Sequence, residues 1–106
     1  MNRVLNKVAI VTGGAAGIGR AAAFALAREG AKVVAADINF EGAESVVREI
    51  RGAGFPALAV RHDVGDERSW NALIEAVTGE FGRLDVLVNN AGVGTTKLPE
   101  LVRGSR

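Results

Sequence analysis

Four short apolar runs rich in β-branched residues punctuate this 106-residue chain: Val8 to Thr12, Lys32 to Ala36, Ala57 to Arg61 and Leu84 to Val88. Their starts are 24, 25 and 27 residues apart. None alternates polar with apolar residues, as expected of strands whose two faces are both covered. The stretches between them have helical periodicity, and strands alternating with helices of this length indicate βαβ units around a parallel sheet. A period near 25 residues also raises a leucine-rich solenoid, but the L-x-x-L-x-L-x-x-N pattern is missing and the helical stretches are too long. The length allows one domain.

The first helix should begin near Gly17 and end before Gly30, with Ile18, Ala22, Ala25 and Leu26 on one face. The second should start after Asn39 as N-cap, bury Ala43, Val46, Val47 and Ile50, and stop at Gly52 or Gly54. In the third, Asp66 is the expected N-cap and Gly82 the stop. Trp70, Leu73, Ile74, Val77 and Phe81 fall at i, i+3, i+4, i+7 and i+11, a spacing that reads as core packing.

Composition narrows the chemistry. The chain is 48% hydrophobic with a formal net charge of +1, which is too apolar and too weakly charged for a disordered protein. Cysteine is absent, which removes disulfides, thiol catalysis and thiolate metal sites and leaves His62 as the only imidazole. That histidine, at a strand end with no second ligand or nucleophile in view, reads as an ordinary structural residue. Charge is spread evenly with no basic stripe, so no nucleic-acid partner is expected. The polar N-terminus and the lack of a long apolar run give no membrane span, and a cytoplasmic location is the expectation.

The chemistry-bearing segment follows the first strand directly: Thr12-Gly13-Gly14-Ala15-Ala16-Gly17-Ile18-Gly19, leading into a helix. In such a turn Gly13 permits the tight bend, Gly17 lets backbone N–H groups approach a pyrophosphate, and Gly19 lets helix and strand pack closely. Taken alone, the turn fits an ordinary tight connection equally well. Asp37 lies 18 residues past Gly19 at the end of the second strand, where a carboxylate accepts hydrogen bonds from adenosine ribose hydroxyls. The same charge repels a 2′-phosphate. No arginine or lysine stands at Ala15, Ala16, Ile38 or Asn39 to compensate, so NAD is expected as cofactor and NADP less so.

These residues together, with Asp63-Val64 after the third strand and Asn89-Asn90-Ala91-Gly92 after the fourth, resemble the short-chain dehydrogenase/reductase family from about Lys7 to Gly94. The resemblance implies a Rossmann-type α/β fold. It would hold four parallel strands in order 3-2-1-4 with helices on both faces, half of a doubly wound domain over residues 1–94, followed by an atypical tail over 95–106. It further implies that Asp63 bonds the adenine amino group, that Val64 packs on the adenine ring, and that Ala91 and Gly92 line the nicotinamide-side ribose. Thr12, Gly13, Gly17, Ile18 and Gly19 would meet the cofactor from the first turn; Asp37 and Ile38 would do so from the second strand and Asn90 from the fourth. The family's catalytic Ser and Tyr-x3-Lys have no counterpart here, since the chain contains no tyrosine. No catalytic residue is therefore assigned, and the chain by itself is expected to be inactive. The alternative is a noncatalytic interaction module. In either case the fourth strand would form an open sheet edge and the third helix would cover one face alone, so self-association is expected.

Overall fold

All four apolar runs become strands in the computed structural model, which describes residues 4–90: β1 (Val8–Thr12), β2 (Lys32–Asp37), β3 (Ala57–Arg61) and β4 (Val86–Asn89). Between them lie α1 (Gly17–Arg28), α2 (Phe40–Gly52) and α3 (Glu67–Phe81). Every pairing is parallel and the sheet order is β3-β2-β1-β4, as expected from the sequence. The register sets Thr12 beside Ala36 on one side and Asn89 on the other, so the carboxyl ends of the strands share one rim. Residues 91–106, including Ala91, Gly92 and the expected tail, lie outside the described residues.

The fourth strand begins at Val86, two residues later than its apolar run, because Asp85 occupies the preceding ladder position with its side chain. The Val8 N–H donates to Asp85 Oδ2 at 2.9 Å, while the Asp85 N–H donates to the Val8 carbonyl at 2.9 Å. Arg83 grips the same carboxylate through two bonds of 2.8 Å and, with the Val8 N–H, holds its pKa below the ordinary value.

Side-chain caps start α2 and α3 where the sequence placed them. Asn39 accepts from the Gly42 N–H at 3.1 Å and Asp66 from the Arg68 N–H at 2.9 Å. At the end of α3, Gly82 adopts φ +77°, the left-handed turn that a side chain would strain.

The sheet separates two cores. On one face α1 and α2 bury Ala23, Ala27, Val46 and Ile50 against Ala9, Val11, Val33 and Ala35. On the other, Leu73 and Val77 of α3 are fully buried against Val8, Ile10, Val34 and Ala36, with Trp70 and Phe81 half-buried around them. Ile74 of the expected stripe stays 39% exposed, at the margin of the contact.

The face of α1 differs from the expected one. Its buried residues are Gly19, Ala23 and Ala27, spaced i, i+4, i+8; of the expected face, Ala22 and Leu26 are partly buried against the same core, whereas Ile18 is 75% exposed and Ala25 faces solvent. The helix sits with its smallest side chains on the sheet because Gly19 rests against the Gly13 carbonyl group. That contact is closer than any larger residue allows.

Candidate functional site

The rim at the carboxyl ends of the strands gathers most of the residues singled out in the sequence. After β1 the chain turns through Gly13 at φ +66°. Thr12 ties this turn to β4: its hydroxyl donates to Asn89 Oδ1 at 2.8 Å and accepts from the Asn90 N–H at 3.0 Å. Asn90 then reaches back to the Gly13 carbonyl at 3.4 Å. Thr12 and Asn89 are buried, so these bonds form a braced seam between the two central strands.

The N-terminus of α1 stands open beside the seam. Its N-cap, Ala16, offers no side-chain acceptor and its first turn has no acidic residue, unlike α2 and α3, which have Asn39 with Glu41 and Asp66 with Glu67. The first N–H groups of a helix lack partners within it and carry the positive end of its dipole. Gly17 has φ +59°, and a Cβ built there meets no atom within 4 Å. Uncapped donors, a first turn without acidic residues and open space together fit an anionic group such as a pyrophosphate.

Asp37 closes the other side of the turn. Its Oδ2 accepts from the Ala15 N–H at 3.0 Å and its Oδ1 from the Asn39 N–H at 2.9 Å. The carboxylate is thereby fixed at the end of β2, only partly buried, with acceptor capacity left on both oxygens. Next to it Ile38 is 55% exposed, an apolar side chain left in water at the rim. Asp63 and Val64 follow β3, which joins β2 through the His62 N–H donating to the Asp37 carbonyl at 3.0 Å. Asp63 is exposed and Val64 half-buried. No group of three or more histidine, aspartate or glutamate side chains suited to a metal occurs among the described residues.

The sequence profile of the family described as short chain dehydrogenase matches residues 7–103. The chain belongs to that family. It is 53% identical over 92 residues to the 2,5-dichloro-2,5-cyclohexadiene-1,4-diol dehydrogenase of Sphingobium indicum, covering 87% of this chain and 37% of the relative. It is 54% identical over 93 residues to the cis-4-hydroxycyclohexanecarboxylate dehydrogenase of Sinomonas cyclohexanicum, covering 88% and 37%. A crystal structure of hydroxysteroid dehydrogenase from Escherichia coli superposes with a TM-score of 0.84 at 44% identity, over 89% of this chain and 40% of that one. The chain thus spans less than half the length of these relatives.

Within this short chain dehydrogenase fold, sequence reasoning missed three contributors. The Ala15 amide orients Asp37 from across the turn. Asp85 sets the start of β4. Ser69 lies with its Oγ 3.1 Å from His62 Nδ1 and accepts from the Asp63 N–H at 2.9 Å. Each depends on segments that the fold brings together, Ala15 and Asp37 lying 22 residues apart. No described helix is long and apolar enough to cross a membrane.

Proposed function

We propose that this chain is the NAD-binding part of a short-chain dehydrogenase that transfers hydride between NAD(H) and an alcohol or carbonyl substrate. One observation carries the reading: the uncapped N-terminus of α1, opening beside Gly17 and within one turn of the fixed Asp37 carboxylate. Pyrophosphate would take the free N–H groups of Gly17, Ile18 and Gly19, and the adenosine ribose hydroxyls would donate to Asp37. The adenine ring would lie between Ile38 and Val64 with Asp63 at its amino group. On the other side of the turn, Thr12, Gly13 and Asn90, followed by Ala91 and Gly92, would flank the nicotinamide half. NAD supplies the hydride acceptor; this chain binds and orients it. Two of the relatives are named for hydroxyl groups on six-membered carbon rings, which supports an alcohol substrate. Titration calorimetry with NAD⁺ tests the reading. Saturable binding of one molecule per chain is expected, weakened by how little of the relatives' length is present, and no heat of binding up to millimolar NAD⁺ overturns it.

We also infer self-association. Among the described residues β4 has a neighbour on one side only, and Val86, Leu87 and Val88 along it are half-exposed with no proline to blunt the edge. Light scattering coupled to size exclusion at micromolar concentration should give a mass at least twice the 11.0 kDa of the chain. A folded monomer contradicts it.

A further inference from the structure

Among the described residues, His62 is the one buried ionisable side chain that the reading above leaves unused: it is 2% exposed, and its Nε2 has no partner. Its surroundings form a short relay into the loop after β3. The Asp63 N–H donates to Ser69 Oγ at 2.9 Å, and Ser69 Oγ lies 3.1 Å from His62 Nδ1. Trp70, the next residue of α3, donates its indole N–H to the Val64 carbonyl at 3.1 Å and meets the imidazole edge-on at 4.2 Å between ring centroids. Neighbouring side chains in the first turns of α3 therefore hold the backbone of Asp63 and Val64 in place.

We propose that His62 and Ser69 are positioning residues that fix the Asp63–Val64 backbone for the adenine end of the dinucleotide, and that they do so only while the imidazole is neutral. The proposal rests on the cofactor reading above. The hydroxyl of Ser69 already accepts the Asp63 N–H, so its own proton is free to go to a neutral Nδ1, which keeps its lone pair on the amide. Imidazolium makes both ring nitrogens donors. Nδ1–H then turns the hydroxyl around, which leaves the hydroxyl proton without the acceptor it had, and the charge is buried on a ring only 2% exposed.

Burial accordingly lowers the His62 pKa below its ordinary 6.5, with Ser69 and the Asp63 carboxylate opposing that shift. Of the other groups near it, Asp37 on β2 offers a backbone carbonyl to the His62 N–H, and Asp66 on α3 is engaged as a cap. Arg61, Glu67 and Arg68 are exposed. A lowered histidine pKa means that the folded arrangement is fully stable above 6.5 and loses stability as the pH falls from there through the lowered value.

Trp70, the single tryptophan, is a built-in reporter. From pH 8 to pH 5 its emission should fall as imidazolium forms beside it, and the affinity for NAD⁺ should fall with the same midpoint while that for nicotinamide mononucleotide, which lacks adenine, stays level. Ser69→Ala should bind NAD⁺ about tenfold more weakly at pH 8, as for the loss of one hydrogen bond, and lose the pH dependence; Ser69→Thr should restore both. A Ser69→Ala variant that melts earlier yet keeps the wild-type NAD⁺ affinity and pH profile overturns the proposal. If the wild-type chain binds no NAD⁺ at pH 8, the cofactor reading fails, and the relay is judged by the Asp63 amide resonance in ¹H–¹⁵N spectra. A shift of that resonance with the His62 midpoint, absent in Ser69→Ala, supports the relay; a resonance indifferent to both overturns it.

Discussion

Replacing Gly19 with alanine is expected to cost more than any other single methyl group added to the rim. A Cβ at this position would lie 2.7 Å from the Gly13 carbonyl carbon and in collision with its oxygen, and 2.8 Å from Asn90 Nδ2. Two of those three atoms are backbone, in a turn already held at positive φ and tied to β4 through Thr12 and Asn90. Relief requires α1 to lift off the sheet, which pulls Ala23 and Ala27 out of the core. Overpacking of a close contact costs about 1–3 kcal/mol and occasionally more, and the backbone character of the clash puts this variant at the upper end or beyond. Urea unfolding should show the loss as a lower midpoint, and NAD⁺ binding should vanish with it, since the donors of α1 move with the helix. Gly17→Ala is the contrast: it meets nothing within 4 Å and carries only the strain of φ +59°, about 1–2 kcal/mol. Equal stability of Gly19→Ala and the wild type contradicts the packing described.

Leu73→Ala should be comparably severe for a different reason. The face of the sheet opposite α1 and α2 is covered by α3, and Leu73 is fully buried at its centre with Val77 against Ile10 and Val34. Truncation there removes transfer energy and leaves a cavity, together about 2–5 kcal/mol. A domain of this size has a total stability of roughly 5–15 kcal/mol, so the variant should melt many degrees lower. Ile74→Ala, on the exposed margin of the same helix, should change the melting temperature little. Equal losses for the two would mean that the register of α3 is wrong.

Much of the architecture was written in local patterns. α2 and α3 were legible because each has a side-chain cap, a sustained apolar stripe and a small-residue stop, three signals that agree on the same boundaries. Four covered runs pointed to a parallel sheet, while the strand order came from the family resemblance carried by the glycine turn, Asp63-Val64 and Asn89 to Gly92. The face of α1 was not legible, because residues 21–27 are all alanine, leucine or phenylalanine and such a run has no polar side to set a phase. What fixes that phase is a backbone contact, Gly19 on Gly13, between residues whose shared feature is having no side chain. The start of β4 was hidden for a related reason. A carboxylate replacing one rung of a ladder leaves no trace in strand propensity.

The rim was legible residue by residue but not as a network. Gly13, Gly17, Gly19 and Asp37 announce themselves by spacing, whereas Ala15 holding Asp37 or Ser69 linking His62 to Asp63 depend on chain segments meeting across a turn. His62 read in the sequence as an ordinary strand-end residue, and the structure buries it. The sequence could not show that the hydroxyl beside it also holds the amide of Asp63.

The central claim, that Asp37 sits where the adenosine ribose is bound and selects the unphosphorylated dinucleotide, is tested most directly by calorimetric titration of NAD⁺ and NADP⁺ into the wild type and into Asp37→Ala. The wild type should bind NAD⁺ at least tenfold more tightly, because a carboxylate held by the Ala15 and Asn39 amides meets a 2′-hydroxyl as an acceptor and a 2′-phosphate as a like charge. In Asp37→Ala the two affinities should converge while the chain stays folded. NADP⁺ binding to the wild type as tightly as NAD⁺, or a discrimination that survives removal of the carboxylate, would contradict the account.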